Sequence, residues 1–94
     1  MYYKMTDYNF IGFNRARNKR KKYEARLQNK KTGKIYAIPF GQMGFEQYKD
    51  KIGYYKSLDH LDEKRRDNFI ARQSYYVKKG YYSPAYFSIN FLGN

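Results

Sequence analysis

Apolar and polar positions alternate most clearly over "KKYEARLQNKKTGKIYAIPFG", residues 21 to 41. Tyr23, Ala25 and Leu27 fall on one side of an extended chain and Glu24, Arg26 and Gln28 on the other, the period of a strand with one apolar face. In the turn "NKKTG", Asn29 and Gly33 supply the chemistry of a bulged hairpin connection, with Gly33 placed to take a positive φ. The returning "KIYAIPF" is apolar at adjacent positions, which predicts burial on both faces until Pro39 and Gly41 end the pairing.

Helical spacing takes over downstream. A short helix is predicted over about residues 44 to 51, broken at Gly53, and a second from a cap at Ser57 or Asp59 to about residue 74. Acids in the first turn and Arg72 near the end suit the dipole of the second helix. Its apolar positions are Leu58, Leu61, Phe69 and Ile70, with none from Asp62 to Asn68, so the core-facing stripe is interrupted and Arg65 lies between Leu61 and Phe69. Asp62 stands three residues before Arg65 and four before Arg66, within reach of either. His60, Asp62, Arg65, Arg66 and Arg72 are therefore read as a structural ion-pair network. In "SPAYFSINFL", Ser83 before Pro84 fits an N-cap with proline at the first helical position; a terminal helix and an extended packing segment both suit the stretch.

These elements predict an α+β fold, a β-hairpin or small antiparallel sheet packed against two or three helices. "YNFIGF" reads as a short strand or a tail packed on the body, with Gly12 interrupting it, and "RARNKRKK" has no apolar periodicity. Residues 1 to 22 are accordingly expected to form an aromatic and basic N-terminal arm, and residues 23 to 94 a single small domain. Ninety-four residues can bury only a limited core, and 13 tyrosines and 7 phenylalanines, with no tryptophan, must do much of its packing.

Composition removes several functional classes. With no cysteine, disulfides and thiolate zinc sites are excluded. The single histidine, His60, points about 200° away from Asp62 around a helix, so the cluster does not make a metal or acid–base pair. No nucleophile elbow or phosphate-binding glycine loop is present, and "GQMGF" lacks the lysine and spacing of one. No catalytic residue, metal ligand or cofactor is assigned, and a non-enzymatic protein is expected, with a nuclease-like activity through His60 as the lesser alternative. No run of about 20 apolar residues is present, so no membrane span is expected, and no apolar signal-peptide core marks it for secretion.

Charge supplies the positive signal. The formal net charge is +12, and residues 1 to 34 hold 11 Lys and Arg against 2 Asp and Glu. Cations that neutralise phosphates, interleaved with aromatics that stack on bases, point to nucleic acid. The candidate contacts are Arg15, Arg17, Lys19, Arg20, Lys21, Lys22, Arg26, Lys30, Lys31 and Lys34, with DNA favoured over RNA. The rival partner is an acidic protein surface, such as a capsid subunit.

Taken together, the "KKY" of Lys21 to Tyr23, Phe40–Gly41, Gly44 to Tyr48, the "His-x-Asp-x-x-Arg-Arg-x-x-aromatic-x-x-Arg" of His60 to Arg72 and the segment Ser83 to Leu92 carry a resemblance. The chain resembles a family of small basic proteins of large nucleocytoplasmic DNA viruses, of the chlorovirus and mimivirus kind. It departs from that pattern in ending at "FLGN" and in carrying Gln73 where the family has histidine. The resemblance implies a virion or infected-cell location, either as a nucleic-acid-binding protein or as a minor capsid component bridging larger subunits, and carries over no catalytic residue. At the level of fold alone, a Tyr-x-Ala-Arg-Leu hairpin followed by a helix is similar to small domains whose sheet enters the DNA major groove, which would present Arg26 and Lys34 to base edges.

Overall fold

The structure is a computed structural model and describes residues 3–77 and 79–93; the first two residues of the expected arm lie outside it. The fold is α+β. A three-stranded antiparallel sheet has the order β2 (Tyr8–Arg15), β3 (Lys21–Asn29), β4 (Ile35–Gln42). A two-stranded sheet pairs β1 (Tyr3–Lys4) with β5 (Tyr81–Tyr82), bringing the two ends of the chain together. Two helices complete it, α1 (Glu63–Ser74) and α2 (Pro84–Phe91). Among the described residues, no helix is long and apolar enough to cross a membrane.

The hairpin of β3 and β4 forms where the alternation placed it. Tyr23, Ala25 and Leu27 are fully buried on the core face, Gly33 takes φ 74°, and Asn29 Oδ1 accepts from the N–H groups of Lys31 and Thr32. Pro39 does not end the pairing, which runs on to Lys21 opposite Gln42. β4 is an edge strand, and an edge tolerates a residue that has no N–H to donate. Nor is β4 covered on both faces, since Ile35 is exposed while Ile38 and Phe40 are buried.

Residues 3 to 22 do not stand apart as an arm. β2 pairs with β3 from Tyr8 opposite Asn29 to Arg15 opposite Tyr23, and the chain then turns through residues 16 to 20 straight into β3. Gly12 at φ 138° follows a β-bulge at which Ile11 is the extra residue. The bulge explains how Phe10 and Phe13, three positions apart, both reach the core: Phe10 lies opposite Leu27, Phe13 opposite Ala25, and their rings are 4.8 Å apart.

α2 closes the core. Ser83 caps it by accepting from the Tyr86 N–H, with Pro84 in the first turn, so the helix prevails over an extended segment. Phe87, fully buried, packs against Phe10 at 5.5 Å, Phe40 at 5.6 Å and Tyr82 at 5.6 Å. Burial of one such ring contributes roughly 2–3 kcal/mol. With few large aliphatic side chains in the core, these rings are the main source of packing.

The expected helix over 44 to 51 is instead an irregular loop, and the 3₁₀ turn Lys56–Leu58 is the nearest helical structure. The backbone donors of the segment explain the outcome: the N–H groups of Gln47, Lys49 and Lys51 go to the carbonyls of Leu58, Leu92 and Phe91, and the Asp50 carboxylate holds the turn that follows by accepting from the N–H groups of Ile52, Gly53 and Tyr55. α1 starts at Glu63, with Asp62 as its cap rather than Ser57 or Asp59. Leu61 therefore lies outside the helix, exposed and at φ 55°, and shares no face with Phe69. α1 buries none of its residues completely.

Candidate nucleic-acid interface

The ten expected phosphate contacts do not share one surface. Lys19 and Arg20 are exposed in the β2–β3 turn, which Asn18 holds by accepting from the Arg20 N–H at 2.9 Å. Lys30, Lys31 and Lys34 are exposed in the β3–β4 turn, at the opposite end of β3. Among the described residues none of these five has an ion-pair or hydrogen-bond partner for its side-chain charge. Nine strand residues separate the two turns by roughly 27 Å, so the cations form two poles rather than one patch.

Arg15 and Arg17 are exposed but engaged. The Arg15 guanidinium lies 5.4 Å from the Tyr54 ring centroid and 5.6 Å from that of Tyr55, and donates to the Tyr55 hydroxyl, which raises its already high pKa. Arg17 Nε meets Glu24 Oε1 at 3.2 Å, over a carboxylate that is only 6 % exposed. Arg26 is half-buried on the central strand, opposite Ala37.

Lys22 must be removed from the set. It is 2 % exposed, and its ammonium donates to the Phe45 carbonyl and to Gln47 Oε1 inside the protein. Burial lowers its pKa, while Asp50 and Asp59 oppose the shift. Beside it, Tyr23 donates to Asp50 Oδ2 at 2.5 Å. Burial and that bond push the Tyr23 hydroxyl well above the ordinary tyrosine value. Burial alone would raise Asp50, but the bonds from Tyr23, Gly53, Tyr55 and Ile52 outweigh it and hold the carboxyl below the usual range. The proton thus stays on Tyr23, and Asp50 stays ionised.

The expected ion-pair network around α1 is differently wired. Asp62 pairs with neither Arg65 nor Arg66; it accepts from the Lys64 and Arg65 N–H groups at the helix start, two donors that would otherwise be unpaired, which stabilises more than a solvated ion pair would. Arg65 reaches Glu46 at 3.1 Å. Arg66 meets Asp67 at 3.2 Å, which raises its pKa, and lies 5.0 Å over the Tyr48 ring. His60 Nδ1 accepts from the Asp62 N–H at 2.9 Å, leaving its proton on Nε2, and its ring meets the edge of Tyr48. Arg72 has no acid partner among the described residues.

Between α1, the loop after β4 and α2 lies an open cleft of about 1320 Å³. Lys21 from β3 and Arg65, Arg66 and Arg72 from α1 line it, together with Phe45, Tyr48, Tyr75 and Tyr76. Sequence reasoning placed Lys21 and the α1 arginines in separate groups and passed over the aromatics. Only the doublet "YY" directly after α1 hinted at them, because tyrosines that continue beyond the last helical position have no stripe to join. Among the described residues, no group of three or more His, Asp or Glu side chains is placed to hold a metal ion. Compared with known proteins, the chain matches no family model, no curated protein and no solved structure.

Proposed function

We propose that the protein binds nucleic acid, largely through phosphates, and performs no chemistry on it. The observation that carries this reading is the pair of unpartnered cationic turns, Lys19 and Arg20 at one end of β3 and Lys30, Lys31 and Lys34 at the other. A strand of B-form duplex places a phosphate about every 3.4 Å along its axis, so poles roughly 27 Å apart reach phosphates on one duplex about eight nucleotides from each other. The rest of the charge adds a long-range field that speeds encounter. The resemblance to viral proteins would put this nucleic acid in a virion or an infected cell.

The test is fluorescence anisotropy with labelled duplex DNA, single-stranded DNA and RNA between about 50 and 200 mM salt. A variant carrying Gln at positions 19, 20, 30, 31 and 34 is measured alongside. If all five cations meet phosphates of a duplex, the variant's plot of log affinity against log salt is shallower by about 4 to 5. Wild-type dissociation constants weaker than about 0.1 mM for every probe at physiological salt would overturn the reading. The same exposed cations would then face an acidic protein surface, as in a minor capsid component.

A further inference from the structure

We propose that the cleft beside α1 binds a single-stranded polynucleotide, its bases stacked on Phe45, Tyr75 and Tyr76 and its phosphates met by Lys21 and Arg72. This rests on the nucleic-acid reading above and adds to it a site and a strandedness.

The aromatic exposure is the first argument. Tyr75 is 86 %, Tyr76 65 % and Phe45 61 % exposed, and all three line one cleft. Scattered exposed aromatics are ordinary, but three at the walls of one concavity are a surface built to be covered. None of the three is needed by the core, which is assembled from other rings. Tyr75 and Tyr76 meet edge to face at 5.3 Å and present ring faces in two directions, as successive bases of a flexible strand require.

Charge is the second. Arg65 and Arg66 are matched by Glu46 and Asp67, whereas Lys21 and Arg72 are unmatched among the described residues. The cleft therefore carries a net positive charge beside exposed rings. An acidic peptide would satisfy the cations and leave the rings without planar partners; a single strand supplies an anionic backbone and unstacked bases together.

Shape is the third. A volume of about 1320 Å³ exceeds the roughly 300–1,000 Å³ of a site for one small ligand, and the cleft is open, as a polymer site must be. A duplex hides the faces of its bases in its own stack, so it gives these rings nothing to stack on. Duplex contact is left to the two cationic turns.

The experiment measures anisotropy of the full chain with labelled oligothymidylate, oligouridylate and a duplex of equal length, the first two distinguishing DNA from RNA. The double variant Tyr75→Ala/Tyr76→Ala is expected to lose about 10-fold or more in single-strand affinity while duplex affinity stays within about 2-fold. Tyr75→Phe/Tyr76→Phe keeps the rings and should restore single-strand binding, which a merely structural role for the hydroxyls would not do. Iodouracil-substituted strands should cross-link to Tyr75 or Tyr76.

Because both tyrosines are so exposed, the variants should melt with the wild-type protein. Unchanged single-strand affinity in a folded alanine variant overturns the cleft assignment, and the nucleic-acid reading stands. Displacement of the oligonucleotide by polyglutamate of equal charge at equal concentration also overturns it, in favour of an acidic peptide. Failure of every nucleic-acid probe to bind overturns both.

Discussion

The Tyr23 hydroxyl donates to Asp50 Oδ2 at 2.5 Å and accepts from the Tyr54 N–H at 3.0 Å, so one side chain of the central strand ties down the loop after β4 at two points. Asp59 extends the hold by accepting from Gln47 Nε2 at 2.6 Å and from the Asp50 N–H at 2.8 Å, and Lys22 completes it from the preceding residue of β3. The loop then joins α2 through the Lys49 N–H on the Leu92 carbonyl and the Lys51 N–H on the Phe91 carbonyl. One wall of the cleft is thereby set by a buried polar network.

Removing that bond tests the network. Tyr23→Phe deletes one hydroxyl and leaves Asp50 three backbone donors, and is expected to cost about 1–3 kcal/mol in urea unfolding. Asp50→Ala strands the Ile52, Gly53 and Tyr55 N–H groups together and should cost more than Tyr23→Phe. Equal costs would show that the Tyr23 bond alone carries the loop.

The pH dependence follows from two opposite shifts. Asp50 titrates below its ordinary 3.8 when folded, so the unfolded chain takes up the proton first as pH falls. Its contribution is complete above about pH 5 and is lost as pH drops through 3.8 toward the folded value. Tyr23 titrates above its ordinary 10.0, so its contribution is complete below pH 10 and is lost as pH rises beyond it. Lys22 has the other sign: with its folded pKa lowered, it favours folding progressively as pH rises toward 10.5. Urea midpoints across the pH range should fall at the acid end for wild type and less steeply for Asp50→Asn.

Lys22 separates stability from binding. Lys22→Ala should cost about 2 kcal/mol, by losing the packed stem and leaving the Phe45 carbonyl and Gln47 Oε1 without their donor. Lys22→Met keeps the stem but leaves the same two acceptors without their donor, and should cost less than Lys22→Ala. Neither should change the salt slope of duplex binding, whereas Lys19→Gln/Arg20→Gln should lower it by about 2. A slope that falls with Lys22→Met would contradict its burial.

Asp62 is a cap rather than an ion-pair partner, so Asp62→Asn should be nearly neutral and Asp62→Ala should cost about 1 kcal/mol. The effect should concentrate in α1, which has no fully buried residue to hold it, and amide exchange at Lys64 and Arg65 should accelerate most. If Asp62 served Arg66 through charge, Asn would be as damaging as Ala.

The α+β class was legible along the chain because its signals are local. The alternation over Tyr23 to Leu27, the turn residues Asn29 and Gly33, and the Ser83–Pro84 cap each act within a few residues of themselves, and the fold obeys them except at Glu24, which is buried on the face that the alternation leaves to water. The exposed cations were legible in part, since a solvated side chain such as Lys19 or Lys31 needs no partner to be recognised. What lay beyond local reading was every decision made by residues distant along the chain. Lys22 sits in a basic run like its neighbours, and only Phe45 and Gln47, brought to it by folding, turn it inward. Lys49 and Lys51 carry no sign that the carbonyls of Leu92 and Phe91 will take their N–H groups and so undo a helix. Lys21 and Arg72 lie 51 positions apart and face one cleft only because α2 packs against both β4 and α1. Hydrogen bonds and burial join groups by distance in space, and that distance is a property of the tertiary structure alone.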